Sequence, residues 1–496
     1  MKVYQTLSDY EIKHRFFCLT ADNASNNVTM AKHLSTLLSN DDIVWDHKTN
    51  YIPCFAHIIN LVVQKFVRTM FMDRADEDSA ADNDDVLEVS LDVDTTVASR
   101  RILSKIRDIA KSIRGSSRRW ELFAKACKSC EMNPTMIPLD VAVRWNSTFR
   151  MLQHAIYLKR PIRRYIHDVP GYDDLVLSEA EWLQAEVMLI FLLPFQRCTS
   201  RFECNDTNPE VDFMFFAYDS LYNHIEDVKE KLGATTSKLG ALPCAGPMRE
   251  AIEAMEGILK KYYQKTEYPT VYGDAMILNP RAKLSIFEEE SWEDTDRINY
   301  AAGCRQRFLD DYHQQVPTEP VIPAKRGLDD DSNFQNHVLR RTNSARRKND
   351  YDRYIETDND PYIKSSLSWW RQNNSQYPDL ARMARDVLAV PASGCAVERQ
   401  FSISGRIAIW QRNRLSAKRI TDAMIYKGAL SKTHRPIKNM IMDDDDELLL
   451  ADESGVDIPA EWATNWWMER LEKIAVASET IELFGTQDDS DDIYGD

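Results

Sequence analysis

The chain has 496 residues, of which 43% are hydrophobic and 10% aromatic, values that favour a globular protein of about three domains. No run reaches the ~18 consecutive apolar residues that a membrane helix needs. The N-terminal sequence MKVYQTLSDYEIKHR lacks an apolar signal segment, which argues against secretion. The nine scattered cysteines indicate reduced thiols and an intracellular protein.

The net charge of −16 argues against nucleic-acid binding only if the charge is spread evenly, and it is not. Asp73–Asp94 holds ten acids and one base, and the sequence from Asp443 onward is also acidic. Ser99–Trp120, by contrast, holds eight bases and one acid. Such a basic island favours phosphate contact, with a solvated helix face as the alternative.

The first elements in chain order are a strand and a helix around Asp22. Arg15–Thr20 is a short apolar run that predicts a buried strand. Asn26 or Asn27 is then the expected cap of a helix. Asp22 therefore follows the carboxyl end of a strand, where α/β sheets place their chemistry. Ile52–Val67 predicts a second strand that leads into a buried helix.

The middle of the chain is predicted to be helical between two irregular segments. Met72–Thr96 is acidic and lacks aromatic residues, which is typical of disorder. Ala180–Phe195 and Pro247–Tyr263 are the strongest helical patterns in the region that follows. Gln314–Asp350 is rich in Pro, Asp, Asn and Arg and is predicted to be a flexible loop.

Helices are also predicted near the C-terminus. Asp360 followed by Pro361 predicts the start of one helix. Leu380–Leu388 has an apolar stripe typical of a second helix, which Pro391 ends. A third is predicted to begin at Ser416 and stop at Gly428.

Two acids are candidate ligands of the divalent cations that phosphoryl transfer uses. Asp22 is the first, and a turn or helix-cap aspartate is its structural alternative. Glu398 is the second, because it is an isolated acid beside Arg399 in a basic segment. The alternative for Glu398 is a glutamate that stabilises a helix start.

Two further sets of residues have spacing that suggests a site. Cys54 and His57 form a Cys-x-x-His pair, and with Cys127 and Cys130 they make a zinc site a weak alternative. Asp140 precedes an Arg-Trp-Asn-Ser-Thr run at 144–148. An arginine beside an aromatic can bind phosphate and stack on an unpaired base, whereas a buried tryptophan is the structural alternative.

These motifs together resemble the hAT transposases, and they occur in that family's order. The motifs are TADNASNN, Cys-x-x-His-x-x-Asn, Asp-x-x-x-Arg-Trp-Asn-Ser-Thr, ILNPRAKL, YPDLARMARDVLAVPAS and ERQFS. The resemblance runs from Met1 to about Leu430, and its most specific block, Asp360–Leu430, is similar to the family's dimerisation domain.

The resemblance implies roles for individual residues. Asp22 and Glu398 match the second and third acids of a DDE site, which implies catalytic and metal-binding roles with Mg²⁺ or Mn²⁺. Trp145 matches a tryptophan that stabilises a flipped base. The implied DNA-binding residues are Arg144, Trp145, His57 and Arg399.

The implied fold is α/β and mainly helical. An incomplete RNase H-like core would be interrupted by a large all-α insertion and completed by a C-terminal helical dimerisation segment. The expected parts are core residues 1–70, an acidic disordered insertion at 71–97, a helical insertion domain at 98–313, a flexible loop at 314–358, the dimerisation region at 359–432 and an acidic tail with one short helix at 433–496.

The expected function is that of a hAT transposase-like protein that binds DNA and self-associates as a homodimer or larger assembly in the nucleus, with no membrane partner. The family's first catalytic aspartate lies upstream of the region matched here. We therefore expect weak or absent metal binding and impaired catalysis, and the sequence leaves enzyme activity open. The alternative is a domesticated, non-catalytic dimerisation and protein-interaction module.

Overall fold

The computed structural model describes residues 2–71, 100–141, 145–204, 211–234, 239–240, 242, 244–288, 294–313, 348–363, 365–395, 397, 416, 418–420 and 422–426. The acidic insertion predicted at 71–97, apart from Phe71, and the tail at 433–496 lie outside these residues. Within the described ranges, no helix combines the length and apolar character needed to cross a membrane.

The described chain is mainly helical, and most of its helices lie between residues 55 and 307. In chain order the helices are α1 Lys2–Asp9, α2 Ser25–Ser39, α3 Phe55–Phe71, α4 Arg100–Arg114, α5 Ser117–Ser129, α6 Trp145–Tyr157, α7 Lys159–Asp168, α8 Glu179–Cys204, α9 Met214–Gly233, α10 Ala245–Gln264, α11 Thr270–Ile277, α12 Asp294–Arg307, α13 Asp350–Glu356, α14 Ser366–Gln372 and α15 Pro378–Leu388.

The described strands form a two-stranded parallel sheet of β1 Leu19–Ala21 and β2 Tyr51–Pro53. Leu19 pairs with Tyr51 in register, and α2 connects the two strands. The α/β, mainly helical fold class predicted from the sequence is thus confirmed. The first strand starts later than predicted, because the carbonyl of Phe17 accepts hydrogen bonds from the Trp45 and Asn50 side chains.

The chain divides into two compact units. The first unit contains Met1–Phe55, Phe202–Asp219 and Tyr262–Gly394, and the second contains Ala56–Arg201, Ser220–Lys261 and Cys395–Asp496. In the first unit, a core cluster forms around α2 and the sheet; its buried members are Leu7, Ala31, Leu34, Leu38, Trp45 and Tyr51. The six-part domain division drawn from the sequence stays a prediction.

The two strongest predicted helices are present and extend beyond their predicted ends. Ala180–Phe195 lies within α8, and Pro247–Tyr263 lies within α10. Ser178 and Glu181 start α8 with reciprocal bonds: Ser178 N donates to Glu181 Oε2 at 2.8 Å, and Glu181 N donates to Ser178 Oγ at 3.2 Å. This capping box explains why the helix starts where it does.

Helix α13 lies inside the segment predicted as a loop at 314–358. Asn349 caps it, since its side chain accepts a hydrogen bond from Asp352 N at 2.9 Å. Tyr351 and Tyr354 anchor it, because both side chains are buried. Aromatic residues at i and i+3 were the signal for this short helix.

The helix predicted to start at Asp360 starts instead at Ser366. Ser365 caps it, with its Oγ accepting from Ser368 N at 3.4 Å. Asp360 forms a turn, because its N donates to the carbonyl of Pro280 at 2.9 Å and its Oδ1 accepts from Tyr362 N.

The next helix, α15, buries the predicted stripe Leu380–Leu388 and ends before Pro391. For the third, residues 418–420 and 422–426 are helical, and its predicted stop at Gly428 lies outside the described residues.

Lys283 of the ILNPRAKL motif holds the end of α13. Its buried Nζ donates to the carbonyls of Tyr354, Thr357 and Asp358 at 2.6–3.0 Å. Burial lowers the pKa of this lysine to about 8. Asn279 of the same motif is also buried, and its Oδ1 accepts from Arg281 N at 3.1 Å. The motif thus acts as a structural anchor for the start of the C-terminal region.

Candidate functional site

The parallel sheet brings Asp22 to the edge where its strands end. β1 ends at Ala21 and β2 ends at Pro53, so Asp22 and Cys54 are the first residues beyond the two strands. The amide of Cys54 donates to the carbonyl of Ala21 at 2.8 Å, which continues the ladder by one bond. This edge is the place where parallel α/β sheets position functional groups.

The carboxylate of Asp22 is fixed through one of its oxygens. Oδ1 accepts from Ala24 N at 3.1 Å and from Asn27 Nδ2 at 2.5 Å. Asn27 therefore holds Asp22 and does not cap α2, whose cap residue is Ala24 with no side-chain cap bond. Both described hydrogen bonds use Oδ1, which leaves Oδ2 available to a ligand. Asp22 is thus a turn aspartate, the structural alternative given by the sequence.

Tyr51 closes one side of the Asp22 turn. Its hydroxyl donates to the backbone carbonyl of Asp22 at 2.5 Å. Burial, with a contribution from the nearby Asp22 charge, raises the pKa of Tyr51. The phenol therefore stays neutral and keeps this bond at physiological pH. Next to Asp22, the buried Asn23 Nδ2 has no hydrogen-bond partner among the described residues.

Residues 391–394 run along the same strand ends. Thr20 Oγ1 donates to the carbonyl of Pro391 at 2.7 Å, and Phe55 N donates to the carbonyl of Ala392 at 2.9 Å. Gly394 N donates to the Cys54 sulfur at 3.3 Å. Glu398 and Arg399, the other candidates in this part of the sequence, lie outside the described residues.

The cysteine and histidine candidates are placed separately. Cys54 is buried at the strand end, whereas His57 is half-exposed on α3. Cys127 is buried in α5, and burial raises the pKa of its thiol. Across the described ranges, no group of three or more His, Cys, Asp or Glu could hold a metal ion. The zinc alternative therefore gains no support.

Asp140 links the RWNST motif to the basic island of the sequence. Its carboxylate receives Arg107 of α4 at both oxygens and Thr148 of α6 at 3.4 Å. The pKa of Arg107 is raised, since the hydrogen bond to Asp140 outweighs the opposing effect of burial. Lys105, also in the island, pairs with Glu181 at 2.8 Å. Part of the basic island thus serves internal ion pairs, a use that local charge counts do not reveal.

Trp145 begins α6 and is buried, with 4% of its surface exposed. Its ring packs edge-on against Phe149, with the ring centroids 5.9 Å apart. Its backbone N donates to Asn60 Oδ1 at 3.3 Å. Arg144, the neighbouring candidate, lies outside the described residues. The Cys-x-x-His-x-x-Asn motif includes Asn60, but its spacing did not indicate the contact between Asn60 and Trp145.

Two family models match the chain. Residues 350–430 match the hAT family C-terminal dimerisation region. Residues 52–191 match the ZBED1 RNase-like helical domain. The first match contains α13, α14 and α15, and the second contains His57, Asn60, Asp140 and Trp145.

Curated relatives match over most of the chain. The chain is 26% identical to a putative AC transposase of Zea mays, over 84% of this chain and 48% of that protein. It is 25% identical to the putative transcriptional regulator tpeD of Talaromyces stipitatus, over 85% and 47%. It is 22% identical to the zinc finger BED domain-containing protein RICESLEEPER 2 of Oryza sativa subsp. japonica, over 78% and 52%.

The chain therefore spans about half the length of the curated relatives it matches. The two family models and the AC transposase match confirm the resemblance to hAT transposases. Residues 350–430 match the dimerisation region of that family, and the chain is similar to transposases and BED-type proteins along most of its length.

Proposed function

We propose that this transposase-derived chain binds DNA, associates with itself through residues 350–430, and places Asp22 and Glu398 as ligands of Mg²⁺ or Mn²⁺. The supporting observation is the edge of the parallel sheet. Asp22 follows β1 there, and residues 391–394 are hydrogen-bonded to the same strand ends. The sequence that leads to Glu398 thus starts beside the Asp22 strand.

The proposal for the metal rests on the family resemblance of the Asp22 and Glu398 motifs and on ligand chemistry. Carboxylate oxygens are the ligands that Mg²⁺ and Mn²⁺ prefer. Asp22 offers one oxygen, since its other oxygen is held by Ala24 and Asn27. A bound cation would supply charge stabilisation at a phosphate; the residues would orient it.

We propose four DNA-contacting residues: Arg144, Trp145, His57 and Arg399. His57 lies on α3 and is partly exposed, and an imidazole can donate to a phosphate or a base edge. Trp145 is buried in this structure, so its indole would have to leave that place to stack on an unpaired base, a contact that tolerates any base identity. DNA binding of this kind is largely electrostatic, so we propose that it weakens steeply with salt. The nucleus is the corresponding proposed location.

The test is a binding and cleavage assay on one DNA. A fluorescently labelled duplex with a single-stranded overhang is titrated with protein at 50 and 200 mM salt. We expect the affinity to fall as salt rises, since contacts to several phosphates release counterions. Absence of salt-dependent binding would overturn the DNA-binding part of the proposal.

Cleavage is tested on the same DNA with Mg²⁺ and then with Mn²⁺. Impaired cleavage is the prediction made from the sequence, and efficient cleavage of the duplex would contradict it. The Asp22→Asn variant is the matched control, because Asn keeps the turn while removing the charge that binds the cation. Cleavage that persists in this variant would contradict the proposed role of Asp22, or would come from a contaminating nuclease if a mock purification also cleaves.

The alternative function is a dimerising protein-interaction module without DNA binding. It is favoured by exposed apolar side chains within the family's dimerisation region: Ile425 is 66% exposed and Tyr426 is 67% exposed. Apolar side chains of this exposure mark interaction surfaces when they cluster. Self-association without salt-dependent DNA binding would select this alternative.

A further inference from the structure

The indole of Trp145 must move before it can stack on a base. It is 4% exposed and is covered by Phe149. Its Nε1 is buried and has no hydrogen-bond partner among the described residues. A buried, unpaired N–H group destabilises the position that holds it. The buried placement of the ring is therefore easier to leave than that of a fully satisfied tryptophan.

The backbone of Trp145 is held from another helix. Trp145 is the first residue of α6, so its N–H has no acceptor within that helix. Asn60 of α3 supplies the acceptor, with Oδ1 3.3 Å from Trp145 N. Gln64, one turn further along α3, donates to the same oxygen at 3.3 Å and orients the amide. Asn60 thus caps the start of α6, although an ordinary N-cap residue is adjacent in sequence to the helix that it caps.

Val141 and Ser147, on either side of Trp145 in the sequence, are joined by hydrogen bonds. Val141 N donates to Ser147 Oγ at 2.7 Å, and Ser147 Oγ donates to the carbonyl of Val141 at 3.1 Å. Asp140 is fixed by Arg107 and Thr148. Val141 and Ser147, which precede and follow Trp145 in the sequence, are therefore held together, while the indole has no polar partner among the described residues.

We propose that Asn60 is a positioning residue that holds the backbone of Trp145 while the indole turns out of its buried place to stack on an unpaired DNA base. This inference rests on the proposed DNA binding. Asn60 makes no contact with DNA in this scheme. It acts by keeping the first turn of α6 formed. Because the backbone is then fixed, rotation about the side-chain bonds of Trp145 brings the indole to a defined position.

The probe is a DNA duplex with a single unpaired 2-aminopurine, whose fluorescence is quenched when an indole stacks on it. The full chain is added, and affinity and quenching are recorded. We expect Trp145→Ala to abolish the indole-dependent quenching and to weaken binding by about tenfold, as expected for loss of one stacked base. This variant tests the proposed role of Trp145 alone.

Three variants then test Asn60. Asn60→Leu removes the acceptor at similar volume, and we expect reduced quenching with an affinity lowered by about fivefold. Asn60→Asp keeps an oxygen in the same place and should restore quenching. In the Trp145→Ala background, Asn60→Leu should have no further effect on affinity, because the residue through which it acts is gone.

The outcomes separate the two proposals. Quenching that survives Trp145→Ala overturns the stacking role of Trp145, and with it the role of Asn60. Quenching that is lost in Trp145→Ala but unchanged in Asn60→Leu overturns the role of Asn60 alone. An Asn60→Leu effect that persists without Trp145, or that Asn60→Asp does not rescue, identifies a general structural role and also overturns the inference.

Discussion

The guanidinium of Arg107 binds the carboxylate of Asp140 at two points, with Nε 2.7 Å from Oδ1 and Nη2 2.6 Å from Oδ2. The Asp140 side chain is 5% exposed and that of Arg107 is 23% exposed. This two-point geometry joins α4 to the segment that precedes Trp145. Asp140 of the Asp-x-x-x-Arg-Trp-Asn-Ser-Thr motif therefore stabilises the fold, although the motif was considered in the sequence as a nucleic-acid contact.

Removing Arg107 should therefore destabilise the second unit. Arg107→Met leaves the Asp140 carboxylate buried and unpaired, and we expect a loss of about 3–5 kcal/mol in the free energy of unfolding. Urea denaturation followed by circular dichroism measures this loss. Lys111→Met is the matched control on the same helix, because Lys111 is 60% exposed and should change stability by less than about 1 kcal/mol.

A double variant separates charge burial from packing. Arg107→Met combined with Asp140→Leu removes both charges, so it should be more stable than Arg107→Met alone. If the double variant is as unstable as the single one, the ion pair does not carry the effect.

Stability should fall between pH 6.5 and pH 4 because of His224. This residue is 5% exposed, its Nε2 lies 2.9 Å from the carbonyl of Phe191, and burial lowers its pKa to about 4. Between the two values the unfolded chain binds a proton that the folded chain does not, so stability rises with pH. The neutral ring's contribution is complete above about pH 6.5 and is lost as the pH falls to 4.

The change attributable to His224 is about 3 kcal/mol across that window. His224→Gln keeps a donor for Phe191 and removes the titration, so its unfolding free energy should depend less on pH. Unfolding curves at several pH values measure both proteins. His167→Gln is the control, since that side chain is 89% exposed. Equal pH profiles for parent and His224→Gln would contradict the prediction.

Replacement of Asp22 should weaken divalent-cation binding without unfolding the chain. Asp22→Asn keeps an oxygen that can accept from Ala24 and Asn27, but removes the charge that attracts the cation. We expect at least about tenfold weaker Mn²⁺ binding, a loss of about 1.4 kcal/mol, by electron paramagnetic resonance titration. Asp42→Asn, at an exposed position beyond the opposite end of α2, should leave binding unchanged. Equal affinities for the parent and Asp22→Asn would exclude Asp22 as a ligand.

Self-association should depend on Ile425 and Tyr426. Both are exposed within the matched dimerisation region, so changing both to Asp should weaken the assembly toward the 57.4 kDa monomer. Light scattering after gel filtration measures the mass, and Lys418→Ala in the same segment is the control. A retained assembly in the double variant would place the interface elsewhere. Leu388 is unsuitable for this test, because it is 2% exposed and its replacement would disrupt its own unit.

Local sequence patterns predicted several of the helices. The apolar stripes of α8, α10 and α15 predicted helices that the structure contains, because burial of one helix face leaves a periodic mark on the sequence. Helix ends were less predictable. The turn at Asp360 depends on a bond to Pro280, which no pattern near Asp360 encodes.

The candidate site shows the same limit. The position of Asp22 after a strand was predicted from local composition. The candidate roles of the motifs came from the resemblance to hAT transposases. The link from Asn60 to Trp145 spans 85 positions and the one from Arg107 to Asp140 spans 33, so both depend on tertiary packing. A buried Trp145 was the structural alternative considered from the sequence, and the structure confirms that burial, with 4% of the residue exposed.

The hydrogen bond from Thr20 to Pro391 joins positions 371 residues apart. During synthesis, β1 leaves the ribosome long before the segment that covers its end exists. The second unit's helices, by contrast, are made mostly from neighbouring sequence and can form early. The contacts that cover the end of β1 therefore cannot form until translation passes Gly394, and until then the N-terminal strands present an edge that can pair with other chains.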